Sequence, residues 1–409
     1  MKKIAQNYII SNVASQVLSL VSALIVSFYF DAQNISNYAI VLSGIAVASI
    51  LFSFRLENLI FRLTGSEVKE ISLLLVSIVP GISLVAVTLI LFVLKISNEG
   101  LLPFQQELAI FIVLGGFTLS IFNITLNILV KTSKSNLVIL IKLLRGFSEL
   151  TISLTLFLFS GKDISSFYIG YVSSFIIPVI FIFIVGVENR RKYLFSIFES
   201  QRYSSYWHFI KNSTRYLMYD LPASLFNIIS LQAPVFILKG MSSVDLVAAY
   251  FIFQKFIGSP SLTIAQGLGL AIKQNINEIK ESTTKSGFST KLLSYINIVS
   301  VLVITVLGML GTQLFLLFDI QVEPKTLSLV GITIFPVIFF RSLFNLVAGV
   351  VYVKGLFKFN FLFQAIGVLI AVIPGFVFID SFDYILLYGV LMAFFYIIGF
   401  KFLKDRVVK

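Results

Sequence analysis

The chain has no cysteine and a single histidine, His208. Without cysteine there is no disulfide, no thiolate metal site and no cysteine nucleophile. One histidine excludes a histidine-rich metal centre. Charge is also scarce: Asp, Glu, Lys and Arg make up 12% of the 409 residues, about half of the ~25% usual in a soluble domain. No Walker-A or Rossmann glycine pattern occurs, so no nucleotide energises this chain. No carboxylate cluster and no loop large enough for a catalytic domain can be found. The sequence therefore reads as a non-enzyme that needs no cofactor and no metal.

What is abundant is apolar surface. Hydrophobic residues form 58% of the chain, with 43 Phe and 16 Tyr, and the mean hydropathy is +0.98. A soluble fold cannot hide that much, whereas a bilayer removes the need to hide it. A membrane span takes about 20 mostly apolar residues. On that rule the sequence predicts helices at 8–30, 36–62, 70–94, 104–130, 136–160, 164–187, 213–238, 243–272, 288–317, 326–353, 359–379 and 382–403. The first follows Met1-Lys2-Lys3 and is too long for a signal-peptide core, so it reads as a retained anchor.

The short connections alternate in charge. With the N-terminus in the cytoplasm, the external loops hold only Lys95, Lys162, Lys239 and Lys325. All other loop cations fall inside, and both termini are cytoplasmic. Gaining or losing one helix would scramble this bias, so the positive-inside rule supports both count and orientation. It also accounts for the net charge of +12 without nucleic acid. The longest polar connection, 188–212, carries Glu188-Asn189-Arg190-Arg191-Lys192 and His208, and reads as a basic linker lying on anionic lipid. It divides the chain into an N-terminal six-helix lobe, 1–187, and a C-terminal six-helix lobe, 213–409. Both lobes start on the same side, so they are parallel repeats. The expected fold is an all-α integral membrane protein of about twelve spans, two six-helix lobes around a central cavity.

Eight charges fall within predicted helices: Arg55, Lys142, Arg145, Lys255 and Arg341, with Glu57, Glu149 and Asp220. A charge at mid-helix costs roughly 2.5–3.5 kcal/mol on the insertion scale, so these groups should face the bundle interior or a wet cavity. Arg145 and Glu149 are spaced to pair along one helix face. The remaining excess of cations suits a path for an anionic group, although interhelical ion pairs or snorkelling would also place them there. Polar stripes accompany them: Ser120, Asn123 and Asn127; Asp220, Ser224 and Asn227; Asn12, Ser15, Ser19 and Ser22; Arg341 and Asn345. Such stripes either knit helices together or offer amides and hydroxyls to sugar hydroxyls.

Phe54-Arg55-Leu56-Glu57-Asn58-Leu59-Ile60 resembles the Leu-Arg-Tyr-Glu-x-Ala-Ile pattern of polysaccharide flippases. Tyr219-Asp220-Leu221-Pro222-Ala223-Ser224-Leu225-Phe226-Asn227 resembles the opening of that family's second half. Tyr250, Gln254, Lys255 and Pro260 match the tyrosine, the Gln-Lys or Gln-Arg pair and the proline that follow. The family is the Wzx-type branch of the MOP superfamily, beside multidrug MATE exporters and lipid II flippases. The resemblance implies two lobes around a cationic cavity and an undecaprenyl-pyrophosphate-linked oligosaccharide as cargo, moved across a bacterial inner membrane by alternating access for O-antigen, capsule or exopolysaccharide synthesis.

On this reading Arg55, Lys142, Arg145, Lys255, Arg341, Asn123, Asn127 and Asn345 bind the cargo. Glu57, Glu149 and Asp220 are candidates to carry a coupling proton or sodium ion. Partners are the lipid-linked substrate, membrane lipids and a polysaccharide polymerase with its chain-length machinery; nucleic acid is not among them. Two other readings stay open: a MATE-like ion-coupled exporter of small molecules, and a non-transporting scaffold of a polysaccharide assembly complex.

Overall fold

The computed structural model describes residues 2–55, 60, 85, 103–131, 135–160, 163–199, 203–260, 322–354, 356–377 and 380–408. The described residues are helical throughout, joined by short turns. In chain order they form α1 (Lys2–Tyr29), α2 (Ala32–Ser53), α3 (Pro103–Lys131), α4 (Ser135–Phe159), α5 (Ser165–Glu199), α6 (Tyr203–Gly240), α7 (Val244–Phe253), a π-helical turn (Gln254–Gly258), α8 (Pro324–Lys354), α9 (Phe357–Val377) and α10 (Ser381–Val408). Seven of them contain stretches long and apolar enough to cross a membrane, and Ala14–Tyr29 is a shorter apolar helix. The expected span at 288–317 and, residue 85 apart, that at 70–94 lie outside the described residues, as does Glu57.

The helices end where local chemistry predicts. Asp31 accepts a hydrogen bond from the Asn34 backbone N–H at 2.8 Å, and Asp380 accepts one from that of Phe382 at 2.9 Å, satisfying donors that a helix start leaves over. The 188–212 segment is more regular than a loop. Its Glu, Arg and Lys are good helix formers, and α5 and α6 continue through it to Glu199 and from Tyr203.

The spacing of α9 shows how such a helix meets lipid. Leu362, Ile366, Leu369, Ile373 and Phe376 recur at helical intervals and are all exposed, whereas Phe363, Gln364, Gly367, Ala371 and Pro374 are buried. One apolar face turns outward and another inward, the signature of a helix solvated by acyl chains.

The chain folds as two compact units, one of Met1–Ile40 with Phe226–Lys409 and one of Val41–Leu225. In the first, α8 packs on α7, α9 and α10. Phe363 stacks on Phe395 with centroids 3.9 Å apart and on Phe344 at 4.8 Å, which ties α8, α9 and α10 together through offset rings. In the second unit α5 packs on α3 and α4, where Gly170 lets Ser153 approach its backbone.

Close backbone approach is the usual currency of helix association in a bilayer. At Gly389 a Cβ would collide with the Thr333 side chain and sit 2.7 Å from its carbonyl oxygen. Gly389→Val is therefore expected to destabilise the α8–α10 contact by about 1–3 kcal/mol. Gly240→Ala, where nothing lies within 4 Å, provides the control. Thermal unfolding of the two purified variants checks this; equal midpoints would refute the tight contact.

Candidate functional site

Within the Val41–Leu225 unit, Lys142, Arg145 and Glu149 form one stripe on α4. Lys142 is 6% exposed and Glu149 1%. The expected Arg145–Glu149 ion pair is not formed. The Arg145 guanidinium lies over the Phe175 ring at 4.7 Å, with Phe122 at 5.9 Å, and its Nε has no hydrogen-bond partner among the described residues.

The reason is geometric. Tyr171 and Phe175 sit one turn apart on α5 with ring centroids 5.0 Å apart, and Phe122 closes the nook from α3 at 5.8 Å from Phe175. The two ring faces draw the planar guanidinium across the helix boundary instead of along its own helix. Glu149 and Arg145 both act electrostatically on Tyr171, so the three groups still share one field. Lys142 lies one turn before Arg145 and feels its like charge.

The other expected site residues are placed as follows. Asp220 on α6 is 1% exposed, and Ser224 one turn on is buried with it. Asn127 is buried beside Ser120 on α3, and Asn123 is half-buried. Ser120 donates to the carbonyl of Phe117 at 2.8 Å and so uses its proton on its own helix. Ser15, Ser19 and Ser22 form a buried face of α1; the Asn12 side chain lies outside the described residues.

Arg55 corrects an expectation. The predicted helix 36–62 stops at Ser53, and Phe54 (φ 48°) and Arg55 (φ 55°) are both left-handed. Consecutive non-glycine residues there cost on the order of 1–2 kcal/mol each. The Arg55 N–H donates to Ser53 Oγ at 3.2 Å, which helps to hold the turn. The flippase-like Phe54-Arg55 pair therefore sits on a strained corner after α2 and not within a span.

In the unit of Met1–Ile40 with Phe226–Lys409, Lys255 lies in the π-helical turn Gln254–Gly258, with Nζ 5.9 Å from the Phe251 ring centroid. Phe251 in turn meets Tyr38 edge-on at 5.5 Å. In this turn the Ser259 N–H bonds to the Gln254 carbonyl, one residue beyond α-helical register. Pro260 follows and has no N–H to continue either ladder. Inserted π turns are uncommon and are often found at working sites.

Arg341, seventeen residues into α8, lies within electrostatic reach of Tyr250 and Tyr396. Its Nε has no hydrogen-bond partner among the described residues. Asn345, one turn further, is half-buried.

The sequence reading missed the tyrosines. Tyr384, Tyr388 and Tyr396 repeat on one face of α10 and are at most 1% exposed. Tyr250 and Tyr388 meet edge-on at 6.4 Å. Interfacial tyrosine is common in spans, but a helical repeat of tyrosines running past the first two turns of α10 was the signal available. Tyr171 and Gln364, both buried, were missed likewise.

No protein-family model and no curated protein matches the sequence. The fold does match solved structures. A crystal structure of a mutant MATE superposes with a TM-score of 0.65 at 14% identity, covering 99% of this chain and 96% of the other. An outward-facing multidrug resistance MATE family transporter of the MOP superfamily gives 0.64 at 16% identity, covering 99% and 94%. A MOP superfamily transporter from Pyrococcus furiosus, described by a binding pocket of reverse polarity that suggests a different function, gives 0.60 at 13% identity, covering 99% and 96%. The chain is a multi-pass membrane protein with the fold of the MATE transporters, which have 12 helices in two lobes.

Proposed function

We propose that this protein is a flippase that carries a lipid-linked, anionic oligosaccharide across a bacterial inner membrane by alternating access. The observation that carries the reading is the state of two arginines. Arg145 and Arg341 are half-buried within their helices, and the Nε of each is buried with no hydrogen-bond partner among the described residues. A guanidinium held in a spanning helix without a fixed counter-charge is poorly compensated. It is suited to an anionic group that comes and goes, which it binds through paired, charge-assisted hydrogen bonds.

Lys142 and Lys255 add diffuse positive charge beside them, and Arg55, Asn123, Asn127 and Asn345 supply further polar contacts for a sugar head group. The lobes 1–187 and 213–409 alternate access, both termini face the cytoplasm, and Glu149 or Asp220 carries a coupling proton. The flippase-like residues around Arg55 and Asp220 support the glycolipid.

The second reading is an exporter of small molecules, favoured by the likeness to a multidrug resistance MATE. The reversed pocket polarity reported for a neighbour fits a change of cargo within one fold, which the half-buried arginines favour here.

Deleting the gene in its native host separates the two. The expected result is loss of surface polysaccharide with polyprenyl-linked oligosaccharide accumulating head-group inward. Intact surface glycan with altered drug sensitivity would move the assignment to the exporter.

A further inference from the structure

In the unit of Met1–Ile40 with Phe226–Lys409, Pro234, Pro336 and Pro374 lie in the interior of α6, α8 and α9. Proline has no N–H, so the carbonyl four residues before it loses its helical donor, and the ring pushes that turn open. Lipid offers no water in exchange, so a neighbouring helix has to supply the missing partner.

The partners are tyrosines. Tyr388 of α10 donates its hydroxyl proton to the Ser230 carbonyl at 3.3 Å, and Ser230 stands four residues before Pro234. Tyr250 of α7 donates to the next carbonyl, that of Leu231, at 2.9 Å. Tyr384 of α10 donates to the Ala371 carbonyl at 3.0 Å, three residues before Pro374. The three tyrosines are at most 3% exposed, and Ser230, Leu231 and Ala371 are buried with them.

The proline turn of α8 meets the same stretch of α10. Thr333 stands three residues before Pro336, and a Cβ at Gly389 would sit 2.7 Å from the Thr333 carbonyl oxygen. Tyr384 and Tyr388 stack one turn apart with ring centroids 6.2 Å from each other. Residues 384–389 of α10 thus touch the opened turns of three helices. A buried hydroxyl could share almost any helical carbonyl, because each keeps a second lone pair. All three tyrosine bonds fall instead within the four residues before a proline.

We propose that residues 384–389 of α10 are a latch on three proline hinges. Seated, the latch replaces bonds that proline removes and fixes the bends of α6, α8 and α9. A shift of α10 withdraws it from all three together, because the contacts share one short stretch of helix. Packed contacts of this kind switch between discrete arrangements, as a cycle of changing helix shape requires. The latch goes beyond the transport reading and is tested without cargo, so either one stands if the other fails.

The test is amide hydrogen exchange on the full chain in phosphatidylcholine nanodiscs, which reads local opening helix by helix. Tyr388→Phe should speed exchange in α6 just beyond Pro234 about tenfold and leave α9 unchanged. Tyr384→Phe should do the reverse, with the rise in α9 around Pro374. Pro234→Ala restores a donor for Ser230, so Tyr388→Phe should have no effect on α6 in that background. Gly389→Ala removes no hydroxyl, and by pushing α10 off α8 it should speed exchange in α6 and α9 together.

Unchanged exchange in both tyrosine variants overturns the latch. So does a Tyr388→Phe effect that persists beside Pro234→Ala, or one spread evenly over the whole chain, since either marks an ordinary core contact. Gly389→Ala with α6 and α9 both as in the wild type overturns the joint release.

Discussion

Replacing Arg341 by alanine is expected to reduce transport at least tenfold while the amount of folded protein in the membrane stays within about a factor of two. A charge-assisted hydrogen bond contributes about 1.5–3 kcal/mol, which corresponds to roughly 10- to 150-fold in an equilibrium or a rate. The Arg341 Nε makes no hydrogen bond among the described residues, so its loss leaves no described acceptor of that group stranded. The side chain is half-buried, so removing its charge also relieves part of the cost of desolvating a cation. These two facts separate a functional from a structural role, because an arginine that held the helices together would take stability down with activity.

Arg341→Lys should fall between wild type and alanine, since it keeps the charge and loses the planar fork. The readouts are surface polysaccharide and the inward-facing glycolipid intermediate, measured beside protein level in the same cells. Wild-type polysaccharide in Arg341→Ala would remove this residue from the cargo path.

The second large effect concerns Glu149. Glutamine keeps the shape of this buried side chain and cannot release a proton. A gradient equivalent to 100 mV is worth about 2.3 kcal/mol per charge moved, and so can bias a distribution by up to about fifty-fold. In proteoliposomes with an imposed proton gradient, the wild type should show that bias in the leaflet distribution of its cargo and Glu149→Gln should show none. The variant should still equilibrate cargo without a gradient, because Arg145 keeps its place over Phe175. Asp220→Asn is the comparator, at a carboxylate equally buried. If bias survives in Glu149→Gln and vanishes in Asp220→Asn, coupling belongs to α6. If it survives in both, neither carboxylate carries the ion.

Much of this architecture was legible in advance, and the reason is the solvent. A bilayer demands about twenty apolar residues per span with every backbone group satisfied inside the segment. Helix positions are therefore a local property: α3, α4, α9 and α10 fall within a few residues of the stretches expected for them, apart from the C-terminal end of α10. The exposed stripe of α9 is likewise a matter of spacing. The buried charges could be named as well, because a Lys or Arg amid apolar neighbours is conspicuous whatever surrounds it in space.

Their partners were not legible. Arg145 and Glu149 have ideal spacing for an ion pair, yet Phe122 and Phe175 from two other helices offer the guanidinium a better seat. Arg55 looked like part of a continuous span, and its backbone turns left-handed immediately after Ser53. Nothing local to Gln254-Lys255 except Pro260 hints at a π turn. The sequence by itself determined that this is a membrane-spanning helical protein with cations set within its spans, because those properties depend on composition along the chain. Only the tertiary structure decided which cation meets a ring, which carbonyl each tyrosine meets and where the helix register slips. Those outcomes are set by side chains brought together from helices far apart in sequence, and packing resolves their competition.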